Sequence, residues 1–126
     1  MKRTSGRLGV GLVLASLLVA ASTQAFAAFP DKPIKILVGA PAGAGQDVES
    51  RQFAAQLAIE LGQPVIIENK PGFSGMLALQ ALSKSPADGY TLGFAAVSPL
   101  ALNPHLGKSP FDPQKDLAAV SLVAGG

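Results

Sequence analysis

A loop of small residues followed by an acid, Gly43-Ala44-Gly45-Gln46-Asp47, is the stretch of the sequence best suited to bind a ligand. Glycines leave the backbone N–H groups of such a loop uncovered by side chains. Asp47 is a typical N-cap residue, so it predicts a helix whose positive dipole end faces the loop. Uncovered N–H groups and a helix N-terminus together attract anions. The stretch therefore predicts a site for a negatively charged ligand, with Asp47 either only capping its helix or also touching the ligand.

Polar residues follow two further apolar runs in the same way. Asn69 and Ser74 belong to a loop rich in turn-forming residues between 68 and 75, and Ser98 follows the third apolar run. Each is also an ordinary turn or capping residue, so its presence alone does not distinguish a binding role from a structural one. Phe73, in the second loop, could line an apolar pocket or cover the edge of a sheet.

The elements that position these loops alternate between strand and helix. An apolar run from Ile34 to Val38 predicts the first strand, and Phe53, Leu57 and Leu61 form one face of a helix that ends at Gly62. The later predicted elements are a strand at 65–67, a helix at 76–84, a strand at 90–95, a short helical turn at 98–104, a loop at 110–113 and a fourth strand at 117–123. This order predicts an α/β fold with a parallel sheet and flanking helices. The loops after the strands then gather at one edge, where ligands of such sheets bind.

The first 27 residues have the pattern of a secretory signal. A basic start, an uncharged apolar stretch and Ala25-Phe26-Ala27 predict cleavage after Ala27. Three of the ten basic residues leave with this segment, so residues 28–126 carry seven basic and eight acidic residues and a net charge of about −1. That balance gives no indication of a nucleic-acid partner. The chain also has no cysteine, so no disulfide would support the exported product.

Two enzyme classes are weighed against a binding protein. Gly43 and Gly45 form part of a dinucleotide-binding fingerprint, and Glu68 lies near the position of its ribose-binding acid, but Val48 replaces the third small residue. A nicotinamide cofactor would also be out of place in an exported protein. A secreted hydrolase would need a nucleophile and base that the pattern does not provide, and the single His105 predicts an exposed loop residue rather than a metal ligand. No cofactor, metal site or catalytic residue is predicted.

Several segments in a fixed order are similar to the periplasmic solute-binding proteins of tripartite tricarboxylate transporters, the Bug family. The segments are Phe29-Pro30-Asp31-Lys32-Pro33-Ile34, Leu61-Gly62-Gln63-Pro64-Val65, Glu68-Asn69-Lys70-Pro71-Gly72, Pro86-Ala87-Asp88-Gly89-Tyr90-Thr91-Leu92, Asn103-Pro104 and Pro110-Phe111-Asp112-Pro113-Gln114-Lys115-Asp116. The resemblance implies a two-domain α/β protein, not an enzyme, that binds a small carboxylate and delivers it to an integral-membrane permease. Residues 28–126 would form the incomplete first domain of such a periplasmic protein, with the second domain absent.

The same resemblance assigns roles to residues of this chain. Backbone N–H groups of the first loop would hold the carboxylate, Asp47 would cap the helix and touch the ligand, and the second loop would clamp it. The implied ligand-binding residues are Gly43, Gly45, Gln46, Asp47, Gly72, Ser74, Gly75 and Ser98. The chain departs from the family pattern in two places, because Ala44-Gly45 replaces a Gly-Ser or Gly-Thr pair and Phe73 replaces a small residue. An unfinished parallel sheet further predicts that residues 28–126 alone expose apolar surface.

Overall fold

A computed structural model of the protein describes residues 28–96, 100–101 and 109–123. Three strands alternate with helices along the chain. In order they are β1 (Ile34–Val38), α1 (Gly45–Leu61), β2 (Val65–Asn69), a 3₁₀ turn (Phe73–Gly75), α2 (Met76–Ser83), β3 (Thr91–Phe94) and α3 (Pro113–Asp116). The predicted alternation of strand and helix is confirmed from residue 34 to residue 94.

The three strands form one parallel sheet in the order β2-β1-β3. β1 is central, with Ile34 paired to Val65 of β2 and Lys35 paired to Thr91 of β3. Both connections run through a helix, as parallel strands require. The carboxyl ends of all three strands therefore lie at the same edge of the sheet, which confirms the predicted α/β fold.

Each face of the sheet is covered by one of the two longer helices. Ile36 and Val38 point to the α1 face and pack with Ala54, and these three buried residues form one core. The partly buried residues around that core include Phe53 and Leu57, two of the three predicted apolar positions of α1. The second core lies under α2 and contains Met76, Leu79 and Phe111.

Gly93 shows how closely α2 approaches the sheet. A Cβ atom at this position would lie 2.6 Å from the Leu82 side chain. A side chain at position 93 would therefore force the Leu82 side chain to move from its place against the sheet.

The ends of several elements differ from the predicted ones. α1 begins at Gly45 with Ala44 at its N-cap, so the prediction that Asp47 is the N-cap residue is wrong by three residues. Asp47 lies in the first turn, and its carboxylate instead reaches back to the N–H of Gly43. β2 continues to Asn69, two residues beyond its predicted end, because it stays paired with β1 as far as Val38.

The predicted end of α1 is confirmed. Gly62 follows the helix with φ 64°, a left-handed conformation that favours glycine. α2 ends at Ser83, one residue before its predicted end.

A fourth strand at 117–123 is not formed, so that prediction is wrong. Val120 and Leu122 are 82% and 75% exposed, and no described strand pairs with this segment. An apolar, β-branched run becomes a strand only when a neighbour satisfies its backbone groups, and sequence pattern alone does not supply one. The proline-bounded loop predicted at 110–113 leads into α3, which begins at Pro113 and is capped by the Asp112 side chain, an acceptor for the N–H of Gln114.

Other predictions lie outside the described residues. These are the signal segment at 1–27, Ser98, His105 and most of the helical turn at 98–104. Within the described part of the chain, no helix is both long and apolar enough to cross a membrane.

Candidate functional site

A small cleft lies where the loops after the three strands meet. It has a volume of about 20 Å³, room for little more than one water molecule. Its lining residues are Gly39, Gln46, Ser74, Gly75, Ala95 and Ala96. The convergence of the three loops at one sheet edge follows the predicted topology, and it brings together Gln46, Ser74 and Gly75 from two separate loops.

Three lining residues were not anticipated from the sequence. Gly39 follows β1 directly, and Ala95 and Ala96 follow β3. Only their position in the sequence could have identified them, because the residues that directly follow the strands of a parallel sheet lie at this edge. Gly43, Gly45, Gly72 and Asp47 belong to the same loops but do not line the cleft, so their ligand contacts stay predictions.

Gly39 and Gly75 bring the first and second loops into close backbone contact. A Cβ atom on Gly39 would lie 2.5 Å from the Cα of Gly75, well inside van der Waals contact. Glycine at position 39 is therefore needed for the two backbones to approach, which explains why a residue with no functional group lines the cleft.

Asp47 stabilises the first loop through hydrogen bonds of its buried carboxylate. It is 2% exposed, and its carboxylate accepts from the Gly43 N–H at 2.8 Å, from Arg51 Nε at 2.9 Å and from Asn69 Nδ2 at 2.8 Å. These partners hold the pKa of Asp47 well below its usual range, the Arg51 guanidinium contributing most, followed by the Gly43 N–H and the Asn69 amide. The observed role of Asp47 is to tie α1 to the glycine loop and to the end of β2.

Asn69 completes this arrangement across the sheet edge. Its amide nitrogen also donates to the Ala40 carbonyl at 3.0 Å, and its oxygen accepts from Arg51 Nη2 at 3.2 Å. The polar atoms of Asn69 are thus used within the protein, which favours the structural interpretation of this residue. Ser50, fully buried on α1, donates its hydroxyl to the backbone carbonyl of Asp47 at 2.8 Å.

The N-terminus of α1 opens toward the same side. The N-cap residue Ala44 has no side chain that could accept from the helix, and the first backbone bond of the helix runs from the Val48 N–H to the Ala44 carbonyl. The N–H groups of Gly45, Gln46 and Asp47 precede that bond and belong to the unpaired first turn. A Cβ on Gly45 would meet no atom within 4 Å, so the space above this turn is open.

The second loop has an unusual backbone. Four successive residues have positive φ angles: 135° at Gly72, 47° at Phe73, 54° at Ser74 and 90° at Gly75. Phe73 and Ser74 are not glycine, so each holds a conformation that costs about 1–3 kcal/mol. The Phe73 side chain is 80% exposed, whereas phenylalanine is usually buried.

Several charged side chains of the described residues are paired with one another. The Arg51 guanidinium bonds to Asp47 and Asn69. Glu68, on β2, bonds to Lys35 at 2.8 Å and to Lys70 at 2.7 Å, and these two ammonium groups lower its pKa to about 2. Over the described residues, no cluster of three or more His, Cys, Asp or Glu side chains could hold a metal ion.

Comparisons with known proteins agree with this architecture. Residues 49–126 match the model of the tripartite tricarboxylate transporter family receptor. Protein BugT of Bordetella pertussis is 39% identical over 116 residues, covering 90% of this chain and 35% of BugT. A solved structure described as a periplasmic transporter is 36% identical with a TM-score of 0.64, over 68% of this chain and 29% of that one.

A second solved structure contains a ligand. MatC from Rhodopseudomonas palustris, with bound malate, is 31% identical with a TM-score of 0.59, over 70% of this chain and 30% of MatC. The chain spans about a third of the length of the curated relatives that it matches.

Proposed function

Because the chain belongs to the tripartite tricarboxylate transporter receptor family, we propose that it forms one wall of the ligand site of an exported solute-binding protein. The ligand is a small carboxylate, and the protein is a receptor rather than an enzyme. The observation that carries this proposal is the cleft where the uncapped first turn of α1 meets the second loop. A helix N-terminus of this kind favours an anion through its unpaired N–H groups and its dipole.

The proposed contacts come from both loops. Gly43, Gly45 and Gln46 offer backbone N–H groups from the first loop, while Asp47 positions that loop and reaches the ligand only at its edge. The second loop contributes Gly72, Ser74 and Gly75, and Ser98 contributes from the segment after β3. The bound malate of MatC is a small dicarboxylate and supports this ligand class.

The cellular setting is part of the proposal. Residues 1–27 would direct export to the periplasm and be removed after Ala27, and the product would pass its ligand to the integral-membrane permease of the transporter. The cleft of about 20 Å³ is too small to enclose a carboxylate by itself. In the whole protein, a second domain would close over the cleft and complete the ligand site.

The rival interpretation as a nucleotide-binding oxidoreductase is not favoured. The carboxylate of Glu68, which would have to accept from a ribose, is already bonded to Lys35 and Lys70.

Gly45→Ala tests where the carboxylate binds. The protein to use is the product of the complete reading frame that encodes this chain, without residues 1–27. Wild type should be stabilised against heat by at least one acid of a panel of mono-, di- and tricarboxylates, since a ligand that binds only the folded state raises Tm. The alanine methyl enters open space, so Tm without ligand should not fall, while carboxylate affinity should fall about tenfold, the value of one weakened hydrogen bond.

Glu60→Ala, exposed near the far end of the same helix, is the matched control and should bind as wild type does. If no carboxylate stabilises the wild-type protein, the proposed function is wrong. If Gly45→Ala binds as tightly as wild type, the carboxylate is held elsewhere.

A further inference from the structure

The Phe73 side chain has no structural role within the described residues that would account for its position. It is 80% exposed and belongs to neither of the two buried cores. Its backbone has φ 47°, a left-handed conformation in which asparagine or glycine would be less strained. A bulky apolar residue that is both exposed and strained is costly to the folded protein, and such outliers cluster at ligand-binding positions.

The loop around Phe73 is fixed on both sides. The N–H of Gly75 donates to the Gly72 carbonyl at 3.0 Å, and Gly75 is in backbone contact with Gly39. Leu77 fills the space beside Gly72, where an added Cβ would lie 2.6 Å from its side chain. The backbone position of Phe73 is therefore well defined, and the two residues that follow it, Ser74 and Gly75, line the cleft.

The uncharged lining of the cleft limits the ligands that it can bind. None of its six lining residues is charged, and four of them are glycine or alanine. The basic groups of Arg51, Lys35 and Lys70 form ion pairs with Asp47 and Glu68 and do not line the cleft. Burying several carboxylates against such a wall would leave charges uncompensated, whereas one carboxylate with an apolar body matches it.

We propose that Phe73 is a specificity-determining residue of this site and selects carboxylates with a flat apolar body, such as aromatic monocarboxylates. The inference rests on the proposed function, because it assigns the ligand class of the same cleft. The carboxylate binds at the start of α1, and the apolar body lies against the phenylalanine ring, which an aromatic ligand covers in an edge-to-face or offset arrangement.

The test compares ligands of the two kinds on the mature product of the complete reading frame. Titration calorimetry measures phenylacetate and benzoate against malate and citrate for wild type, Phe73→Asn and Phe73→Tyr. Asparagine suits the left-handed backbone, so Phe73→Asn should fold at least as stably as wild type. It should lose about tenfold in affinity for the aromatic acids, because it no longer buries apolar surface against them, and should bind malate unchanged.

Phe73→Tyr keeps the ring and the backbone strain and should retain the preference for aromatic acids. The inference is overturned if wild type prefers malate or citrate, or if Phe73→Asn lowers affinity for all four acids equally, which would make Phe73 a determinant of loop position only. If wild type binds none of the four acids, the proposed function fails as well, so the two failures are distinguishable.

Discussion

Asp47 shows how one buried carboxylate can hold three segments of a ligand-binding edge together. It joins the glycine loop through the Gly43 N–H, its own helix through Arg51 and the end of β2 through Asn69. The sequence indicated a residue that stabilises the start of the helix, but not that it would do so from the first turn. Its negative charge there also complements the helix dipole.

Asp47→Asn should destabilise the protein more than Glu68→Gln does. Both substitutions remove one carboxylate that is bonded to basic side chains, but Asp47 is buried and Glu68 is 36% exposed. An amide at position 47 turns one acceptor into a donor and leaves a partner unsatisfied, so Tm should fall by roughly 3–8 °C. Glu68→Gln should change it by less than about 2 °C, since exposed ion pairs contribute little. Thermal melts at pH 7 measure the change in Tm of each variant, and equal changes would contradict the role given to Asp47.

Acid should remove the effect of Glu68 in a defined pH range. The pKa of Glu68 is about 2 in the folded protein, whereas the same side chain without these interactions has a pKa of 4.5. The contribution of Glu68 to the free energy of unfolding is therefore complete above pH 4.5 and is lost as the pH falls from 4.5 to 2. The stabilities of wild type and Glu68→Gln should converge over that range in melts recorded from pH 7 to pH 2. A difference that stays constant down to pH 2 would show that the ion pairs do not lower this pKa.

At the scale of elements, local signals identified the strands and helices and failed where tertiary pairing decides. The apolar run at β1 and the glycine after α1 are local, and both predictions were confirmed. The end of β2 depends on its pairing with β1, and the absence of a strand at 117–123 depends on a missing neighbour, so neither is visible in a single stretch of sequence. The candidate site divides in the same way. The glycine loop is a sequence signal, whereas the contact between Gly39 and Gly75 arises only from the packing of two loops.

Gly39→Ala should separate the first and second loops. The new methyl would lie 2.5 Å from the Gly75 Cα, and backbone cannot give way as a flexible side chain can, so we expect a loss of about 1–3 kcal/mol in the free energy of unfolding. Gly45→Ala, where the methyl meets nothing within 4 Å, is the matched control and should cost nothing. Denaturant unfolding of the two variants measures the difference, and an equal stability for both would mean that the loops lie farther apart than the structure places them.

At the scale of the whole molecule, the described residues cover their apolar surface incompletely. Ile59, Ile66, Val120 and Leu122 are each more than half exposed, and β2 and β3 each have only one described neighbour. Open strand edges and exposed apolar side chains both favour association with other polypeptide segments. Relatives about three times as long have further chain available to cover such surfaces.

A polypeptide of residues 28–126 alone should therefore bind the dye ANS and melt over a broad temperature range, as loosely packed states do. The product of the complete reading frame, if it continues the fold of its relatives, should bind little dye and melt cooperatively. Fluorescence and calorimetry on the two polypeptides make the comparison. A sharp melt of residues 28–126 without dye binding would show that this segment is a self-sufficient domain.

The central position of β1 also sets the order in which the sheet can assemble as the chain is made. β1 is synthesised first and must wait for β2, whose Val65 pairs with Ile34, and then for β3, whose Thr91 pairs with Lys35. Each newly made strand adds to an outer side of what is already present, so no completed pairing has to open to admit a later one. A chain that emerges from the ribosome or a translocation pore N-terminus first can thus extend this sheet outward in the order of its own synthesis.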